Sequence, residues 1–324
     1  MTNIFMVSKY EIDIEAGYGG LFLPPYKGST LRGGFGSAFR RIACSQRGLE
    51  CPSCLLRAGC PYAYVFETSP PPGSEALRNY ESVPRPFVLE PPLETRTEYG
   101  PGERIIFNLI LFGKAVSYLP YFIVAFRELG ELGIGRMRKK YRLAEIRAVN
   151  PVSGETGVVY RHEDQLVRNV GKAMRSDIIS ELQSFDKASG SGRITLEFQT
   201  MTRVKYEENF ARRPEFHILI RSLLRRLSSL AYFHHGWELD LDFAGLIEQA
   251  KQVSISGDET RWVDWERYSS RQDNKMNLGG LVGRVTYNGP VAAFMPLLKL
   301  GELTHVGKGT VFGMGRYEIV GTCI

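Results

Sequence analysis

The chain of 324 residues is long enough for two ordinary domains, and 43% hydrophobic with 23% charged residues suits buried cores rather than disorder. Lys plus Arg number 41 against 35 Asp plus Glu, a formal net charge of +6 that favours a polyanionic partner. No run reaches the roughly 18 consecutive apolar residues of a membrane span, and MTNIFMVSKYEIDIE lacks the basic start and apolar block of a signal peptide, so a cytoplasmic protein without membrane contact is expected.

Residues 3 to 15 alternate as a strand and 29 to 43 read as a helix. On that helix Leu31, Phe35, Ala38 and Ile42 form the buried stripe, leaving Arg32, Gly36 and Arg40 on the other side. Next comes CSQRGLECPSCLLRAGC, with Cys44, Cys51, Cys54 and Cys60 spaced C-x6-C-x2-C-x5-C. Four thiolates around a central C-x-x-C can close a tetrahedral shell, so a structural zinc is expected, ahead of an iron–sulfur cluster that would use the same ligands. Free buried cysteines with a local disulfide are the alternative. IIFNLILFG (105 to 113) is a buried strand, 117 to 130 a helix and 140 to 149 a closing strand.

Residues 151 to 192 are polar and glycine-rich, ending in KASGSG, and read as a linker or extension of the first half. RITLEFQTMTRVKY (193 to 206) is then a strand and 214 to 235 a helix. On this helix Leu219, Leu223, Leu227 and Leu230 define one buried stripe, with Arg221, Arg225, Ser228 and Tyr232 opposite. His234 falls with the leucines as a core or cap histidine, and His235 near the polar face. RYSSRQDNKMNLGGLVG (267 to 283) places Arg267, Tyr268, Arg271 and Lys275 just before a strand, text that suits a hairpin gripping a nucleic-acid backbone, with Tyr268 available to stack on a base. GGLVGRVTYNG is a strand, 290 to 300 a helix, and RYEIVG closes the second half.

LGELGIGRMRKKYRLAEI (129 to 146) and LGELTHVGKGTVFGMGRYEIV (300 to 320) share one order: apolar helix, Leu-Gly-Glu-Leu, glycine-rich basic loop, strand with Tyr near its start. Duplication is the better reading. Each half approximates a β-α-β-β-α-β unit, so the expected fold is α+β: two tandem ferredoxin-like, RRM-like domains over 1–150 and 193–324, the first carrying the cysteine segment 44–60 as a metal-binding insertion. Neither glycine loop opens a helix after a strand, so Walker and dinucleotide readings fail. What remains is a loop whose small residues Gly307, Gly309, Gly313 and Gly315 let backbone amides approach phosphate, with Lys308 and Arg316 supplying charge and Arg136 repeating it in the first half.

LRGGFGSAFRRIAC, CPSCLLRAGCPYAYVFE, RYSSRQ and HVGKGTVFGMGRYEI, set in two such halves, together resemble the CRISPR-associated endoribonucleases of the RAMP superfamily that process repeat RNA. The resemblance implies metal-independent cleavage within the repeat by 2′-hydroxyl attack, leaving a 2′,3′-cyclic phosphate. It also implies CRISPR repeat RNA as partner, other effector subunits as further partners, and a monomer or homodimer. The alternative is a non-catalytic RAMP subunit that holds guide RNA. Many members carry a general-base histidine on the first helix, and 29 to 43 has none. The resemblance therefore turns attention to His305 and His235 as base, Lys308 as phosphate-stabilising cation, and Tyr268 or Tyr232 as acid or base. Arg32 joins Arg136, Arg267, Arg271, Lys275 and Arg316 as expected RNA contacts.

Overall fold

The computed structural model describes residues 5–68, 83–168, 176–177, 191–269 and 274–323. The chain divides into two compact units: Phe5–Ser176 with Ser229–Gly236, and Met1–Ile4, Asp177–Ser228 and Trp237–Ile324.

The first unit contains β1 (Met6–Ala16), α1 (Gly28–Ala43), α2 (Pro61–Phe66), β2 (Phe87–Glu90), β3 (Arg104–Phe112), α3 (Leu119–Leu132), β4 (Tyr141–Val149) and β5 (Thr156–Arg161). Its sheet runs β2-β3-β1-β4-β5 through antiparallel pairs. That is the strand order of the ferredoxin-like motif, with β5 from the expected linker added at one edge. Alternation in MVSKYEIDIEA turns Tyr10, Ile12 and Ile14 to the core. The other face holds ion pairs: Arg104 meets Asp13 at 2.6 Å, Arg142 meets Glu15 at 2.7 Å, and Arg147 pairs with Glu11. At these positions charged pairs stand where an RNA-recognition sheet has base-stacking aromatics.

The stripe on α1 is nearly as expected: Leu31, Phe35, Ala38 and Phe39 are buried, whereas Ile42 is half-buried at the helix end. Phe35 stacks on Phe126 and Phe122 at 4.6 and 5.2 Å between ring centres, and meets Phe66 at 5.6 Å. Each such ring removed from water contributes about 1.5–3 kcal/mol. A Cβ on Gly34 would stand 2.8 Å from Leu129 Cδ1, so glycine sets how closely α1 approaches α3.

The second unit contains β6 (Gly192–Thr202), α4 (Phe216–Leu230), α5 (Phe243–Lys251), β7 (Ser254–Asp258), β8 (Arg261–Val263), β9 (Glu266–Ser269), β10 (Asn274–Asn277), β11 (Gly280–Gly289), α6 (Met295–Thr304) and β12 (Tyr317–Cys323). Its sheet runs β7-β11-β6-β12, antiparallel throughout, the same ferredoxin-like order, and β8 also pairs with β11. Leu219, Leu223, Leu227 and Leu230 are buried as the periodicity predicts, and Arg221 and Arg225 are exposed. The helix does not run regularly to 235: Ala231–His235 is a wider π turn closed by Gly236 in the left-handed region.

The two halves share one brace. Tyr141 at the start of β4 donates its hydroxyl to the Phe126 carbonyl of α3 at 2.7 Å, and Tyr317 at the start of β12 donates to the Leu298 carbonyl of α6 at 2.6 Å. Both tyrosines press on the glycine of the Leu-Gly-Glu-Leu text. A Cβ on Gly130 would lie 3.2 Å from the Tyr141 ring, and one on Gly301 would lie 2.0 Å from the Tyr317 hydroxyl. The repeated sequence is thus a repeated contact.

Candidate nucleic-acid interface

The C-terminal glycine loop folds on itself. Gly307, Gly309, Gly313 and Gly315 all have φ between 72° and 83°. A Cβ on Gly307 would sit 2.2 Å from the Arg203 carbonyl oxygen, and one on Gly315 would sit 1.9 Å from that of Val306. The expected cradle of amides is largely occupied: Val306 N donates to Gly315 O at 3.0 Å, Lys308 N to Arg203 O at 2.8 Å, Gly315 N to Met201 O at 3.1 Å, and Arg316 N to Thr200 Oγ1 at 3.0 Å. These glycines make the turns possible. They leave few amides to offer a phosphate, a correction to the sequence reading.

His305 is likewise corrected. It is fully buried with φ 60°, and its Nδ1 donates to the Met314 carbonyl at 3.0 Å. A ring closed off from solvent in this way serves the loop, not an incoming hydroxyl. Beneath it, buried Arg226 donates from Nε to the Thr304 carbonyl at 2.5 Å, and burial pushes the guanidinium down to about 9. Arg316 is mostly covered and lies 3.4 Å from Glu318, whereas Lys308 is exposed on the loop surface.

The second unit also pairs cations with aromatics that the sequence reading missed. The Arg203 guanidinium lies 4.1 Å from the Phe210 ring centre, Arg212 lies 3.7 Å from Trp262, and Arg221 lies 5.8 Å from Tyr206. Gly307 rests against the Arg203 carbonyl, so the first of these pairs adjoins the loop. Charge for phosphate beside flat rings for bases is what single-stranded nucleic acid requires. The available signal was Arg-x-Lys-Tyr followed by Phe-Ala-Arg-Arg, unremarkable without the strands that fold it together.

In the predicted gripping segment, β9 and β10 pair as a hairpin that sets Arg267 opposite Met276 and Tyr268 opposite Lys275. Arg271 lies outside the described residues, as do the side chains of Arg267, Tyr268 and Lys275.

In the first unit Arg136 is exposed on the basic loop, and Arg32 lies half-buried with its guanidinium 5.1 Å from the Phe66 ring centre. His235 does not stand open as a base. Its ring stacks on Phe5 at 4.4 Å and places Nδ1 3.0 Å from Leu230 O and Nε2 3.2 Å from Met6 O. Burial outweighs those carbonyls and lowers its pKa below the usual histidine value.

His234, read as a core histidine, is buried but polar in its partners. Nε2 stands 2.7 Å from the Pro84 carbonyl, which can only accept, so Nε2 carries the hydrogen and Nδ1 accepts from the Tyr64 hydroxyl at 3.0 Å. Burial raises the Tyr64 pKa, which keeps the phenol protonated, and Lys114 Nζ lies 5.6 Å from its ring centre. A hydroxyl oxygen whose own proton is committed to an imidazole can accept a proton while passing that one on. Tyr64 falls within the quoted PYAYVFE text, and no catalytic role was read for it.

The four cysteines form no disulfide and are half-buried. Burial and Glu67 raise the Cys51 thiol, with smaller contributions from Cys44 and Cys60, so these thiols share a neighbourhood. Cys51–Ser53 and Arg57–Gly59 are tight turns, and Arg40 reaches the carbonyls of Arg47 and Leu49 at 3.3 and 3.5 Å beside Cys44. Among the described residues no group of three or more His, Cys, Asp or Glu is gathered closely enough to hold a metal. The closed four-thiolate shell expected from the spacing is not a feature of this structure.

Comparison with known proteins matches residues 196–317 to the CRISPR-associated endoribonuclease Cas6 family, ending on the brace tyrosine Tyr317, and residues 5–172 to the N-terminal domain family AF_1859_N. The chain belongs to the second of these families, and its residues 196–317 are similar to Cas6. An uncharacterized protein of Archaeoglobus fulgidus is 26% identical over 305 residues, 92% of each chain. A Cas6 product complex has a similar fold, with TM-score 0.56 and 17% identity over 97% of this chain and 99% of that one. Thermus thermophilus Cas6 aligns over 98% of this chain and 99% of its own, with TM-score 0.54 and 16% identity. A chain of a Cas6-RT-Cas1–Cas2 complex matches at TM-score 0.56 and 14% identity, covering 98% of this chain and 29% of that one. Among the described residues, no helix is long and apolar enough to cross a membrane.

Proposed function

We propose that this chain is a Cas6-type endoribonuclease that cuts within CRISPR repeat RNA. The observation that carries the reading is the Cas6 endoribonuclease match over residues 196–317, most of the second β-α-β-β-α-β unit, where Lys308 and the arginine–aromatic pairs supply a surface suited to RNA. The proposed step needs no metal. A ribose 2′-oxygen loses its proton and bonds to the adjacent phosphorus, the P–O5′ bond breaks, and O5′ takes a proton from water, giving a 2′,3′-cyclic phosphate and a 5′-hydroxyl. Within the first unit, Tyr64 with His234 is proposed to accept the 2′-hydroxyl proton through the phenol oxygen. Lys308 is proposed to meet phosphate charge on RNA bound by the second unit, with no part in that proton transfer. His305 and His235 are assigned to the fold instead.

End-labelled repeat RNA incubated with the protein in EDTA is expected to give one cut with a cyclic phosphate end. Cutting that disappears in EDTA would replace this reading with a metal nuclease. Salt-sensitive binding without cutting would favour a guide-holding RAMP subunit, the second reading, which draws on the absence of a histidine between residues 29 and 43.

For the cysteine segment we propose a structural zinc that draws the thiolates together on binding. The C-x-x-C spacing and the proximity of Cys44 and Cys60 to Cys51 support it.

A further inference from the structure

The first unit presents a second feature that the cleavage reading does not use. The turn Gly17–Gly20 is closed by Gly20 N donating to Gly17 O at 2.9 Å, and Gly17 N is fixed to the Lys140 carbonyl at 3.1 Å. Tyr18 stands at its tip with 102% relative exposure, its whole ring in water. Glycine is required in this turn: Gly20 has φ +62°, and a Cβ there would lie 2.6 Å from the Tyr99 carbonyl oxygen. A folded chain gains nothing by holding a bare aromatic ring out on a rigid turn, and such a ring is suited to being covered by something else.

Below the turn lies a cleft of about 500 Å³, lined by Tyr18, Phe22, Arg96, Glu98, Tyr99 and Glu103 among others. Phe22 is 43% exposed, and Arg96 lies over the Tyr99 ring at 4.8 Å while paired with Glu103 at 2.5 Å. That pairing holds Arg96 in place and leaves Glu98 as an exposed carboxylate on the wall. A Cβ on Gly19 would meet the Lys139 Nζ at 3.1 Å, so a cation stands against the turn that carries the tyrosine. Arg136 and Arg138 continue the positive charge along the same loop.

We propose that this cleft is a binding site for one unpaired nucleotide of the RNA, separate from the surface of the second unit. The base stacks on Tyr18 and directs an amino group at Glu98, and the phosphate meets Lys139. A carboxylate accepts from the amino groups of guanine, adenine or cytosine, whereas uracil offers it only N3–H, flanked by two carbonyl oxygens that repel it. The site therefore prefers an amino-bearing base. The inference rests on the RNA-binding reading above.

The test uses the full-length protein and repeat RNAs in which each nucleotide in turn is replaced by an abasic residue, with binding read by fluorescence anisotropy. One abasic position outside the cut site is expected to weaken binding by roughly 5- to 100-fold, the range of one stacked base. Tyr18→Ala should weaken intact RNA by the same factor and lose sensitivity to that position, and Tyr18→Trp should restore both. Glu98→Gln should reduce discrimination against uracil there. RNA binding by Tyr18→Ala that equals the unsubstituted protein, with the same abasic profile, would overturn the inference and leave the cleavage reading standing. An unsubstituted protein that binds no repeat RNA would overturn both. Because Tyr18 buries nothing, Tyr18→Ala should melt with the unsubstituted protein, and the Trp variant guards against a trivial loss of fold.

Discussion

The Tyr64 hydroxyl lies 3.0 Å from His234 Nδ1, and the opposite nitrogen of the same ring lies 2.7 Å from the Pro84 carbonyl. This arrangement fixes both the tautomer and the direction in which a proton can travel. Tyr64→Phe deletes the relay oxygen and leaves a buried imidazole nitrogen without its donor. Single-turnover cleavage is expected to fall by about 10²-fold or more, with RNA affinity nearly unchanged and stability reduced by about 1–3 kcal/mol. Measured well below the melting temperature, an unchanged cleavage rate would confine the pair to a structural role.

The glycine loop can be tested through its backbone. Gly315→Ala would place a methyl 1.9 Å from the Val306 carbonyl oxygen in a left-handed conformation, and Gly307→Ala would meet the Arg203 carbonyl at 2.2 Å. Each should destabilise the protein by more than about 1 kcal/mol in urea unfolding. His305→Ala should also lower stability by losing the bond to Met314, while the pH dependence of cleavage keeps its shape. A profile that loses a titrating group in this variant would return His305 to the chemistry.

Lys308 is exposed on that loop, so it should act by charge alone. Lys308→Ala is expected to weaken RNA binding and to reduce the slope of log K against log salt by about one unit. An identical slope would show that no phosphate rests on it.

His235 gives the fold a pH dependence with a definite sign. Burial lowers its pKa in the folded state, so below about pH 6.5 the unfolded chain takes up a proton that the folded chain resists. Its contribution to stability is therefore complete above that pH. It declines as the pH falls from there to the lowered folded value. His235→Phe keeps a ring against Phe5, now 4.4 Å away, and removes the titration. Urea midpoints between pH 5 and 8 should vary less in this variant, and an equal variation would refute the assignment.

Metal analysis decides the cysteine segment. Protein purified with zinc in the medium should carry about one ion per chain if four thiolates share it, and Cys51→Ser with Cys54→Ser should remove that ion. Equal metal content in the two proteins would eliminate the proposed site.

Much of the fold was legible because periodicity carries it. The alternation of Tyr10, Ile12 and Ile14 and the leucine stripe of α4 are local signals of burial, and the structure buries them. The π turn at Ala231–His235 and helix α5 were not legible. Neither departs enough from helical or polar text to announce itself. For the site, glycines and cations in HVGKGTVFGMGR were visible, but their roles were not. Charge and small size show where phosphate could approach, whereas only the folded backbone shows that Arg203, Gly315 and Met201 already occupy the loop's hydrogen bonds. Tyr64 and His234 are 170 positions apart, and no spacing rule joins residues at that distance.

The paired tyrosine braces have a consequence for how such a chain can diversify. In each half a phenol pins the first residue of the last strand to a helical carbonyl, with a glycine cleared to receive it. Sheet registry is thus secured on either side of the intervening loop and does not depend on it. One loop is a short basic hairpin and its counterpart a longer glycine-rich knot, within the same strand order. The brace makes each loop a replaceable part, so the recognition surfaces can be rewritten without first being made to fold.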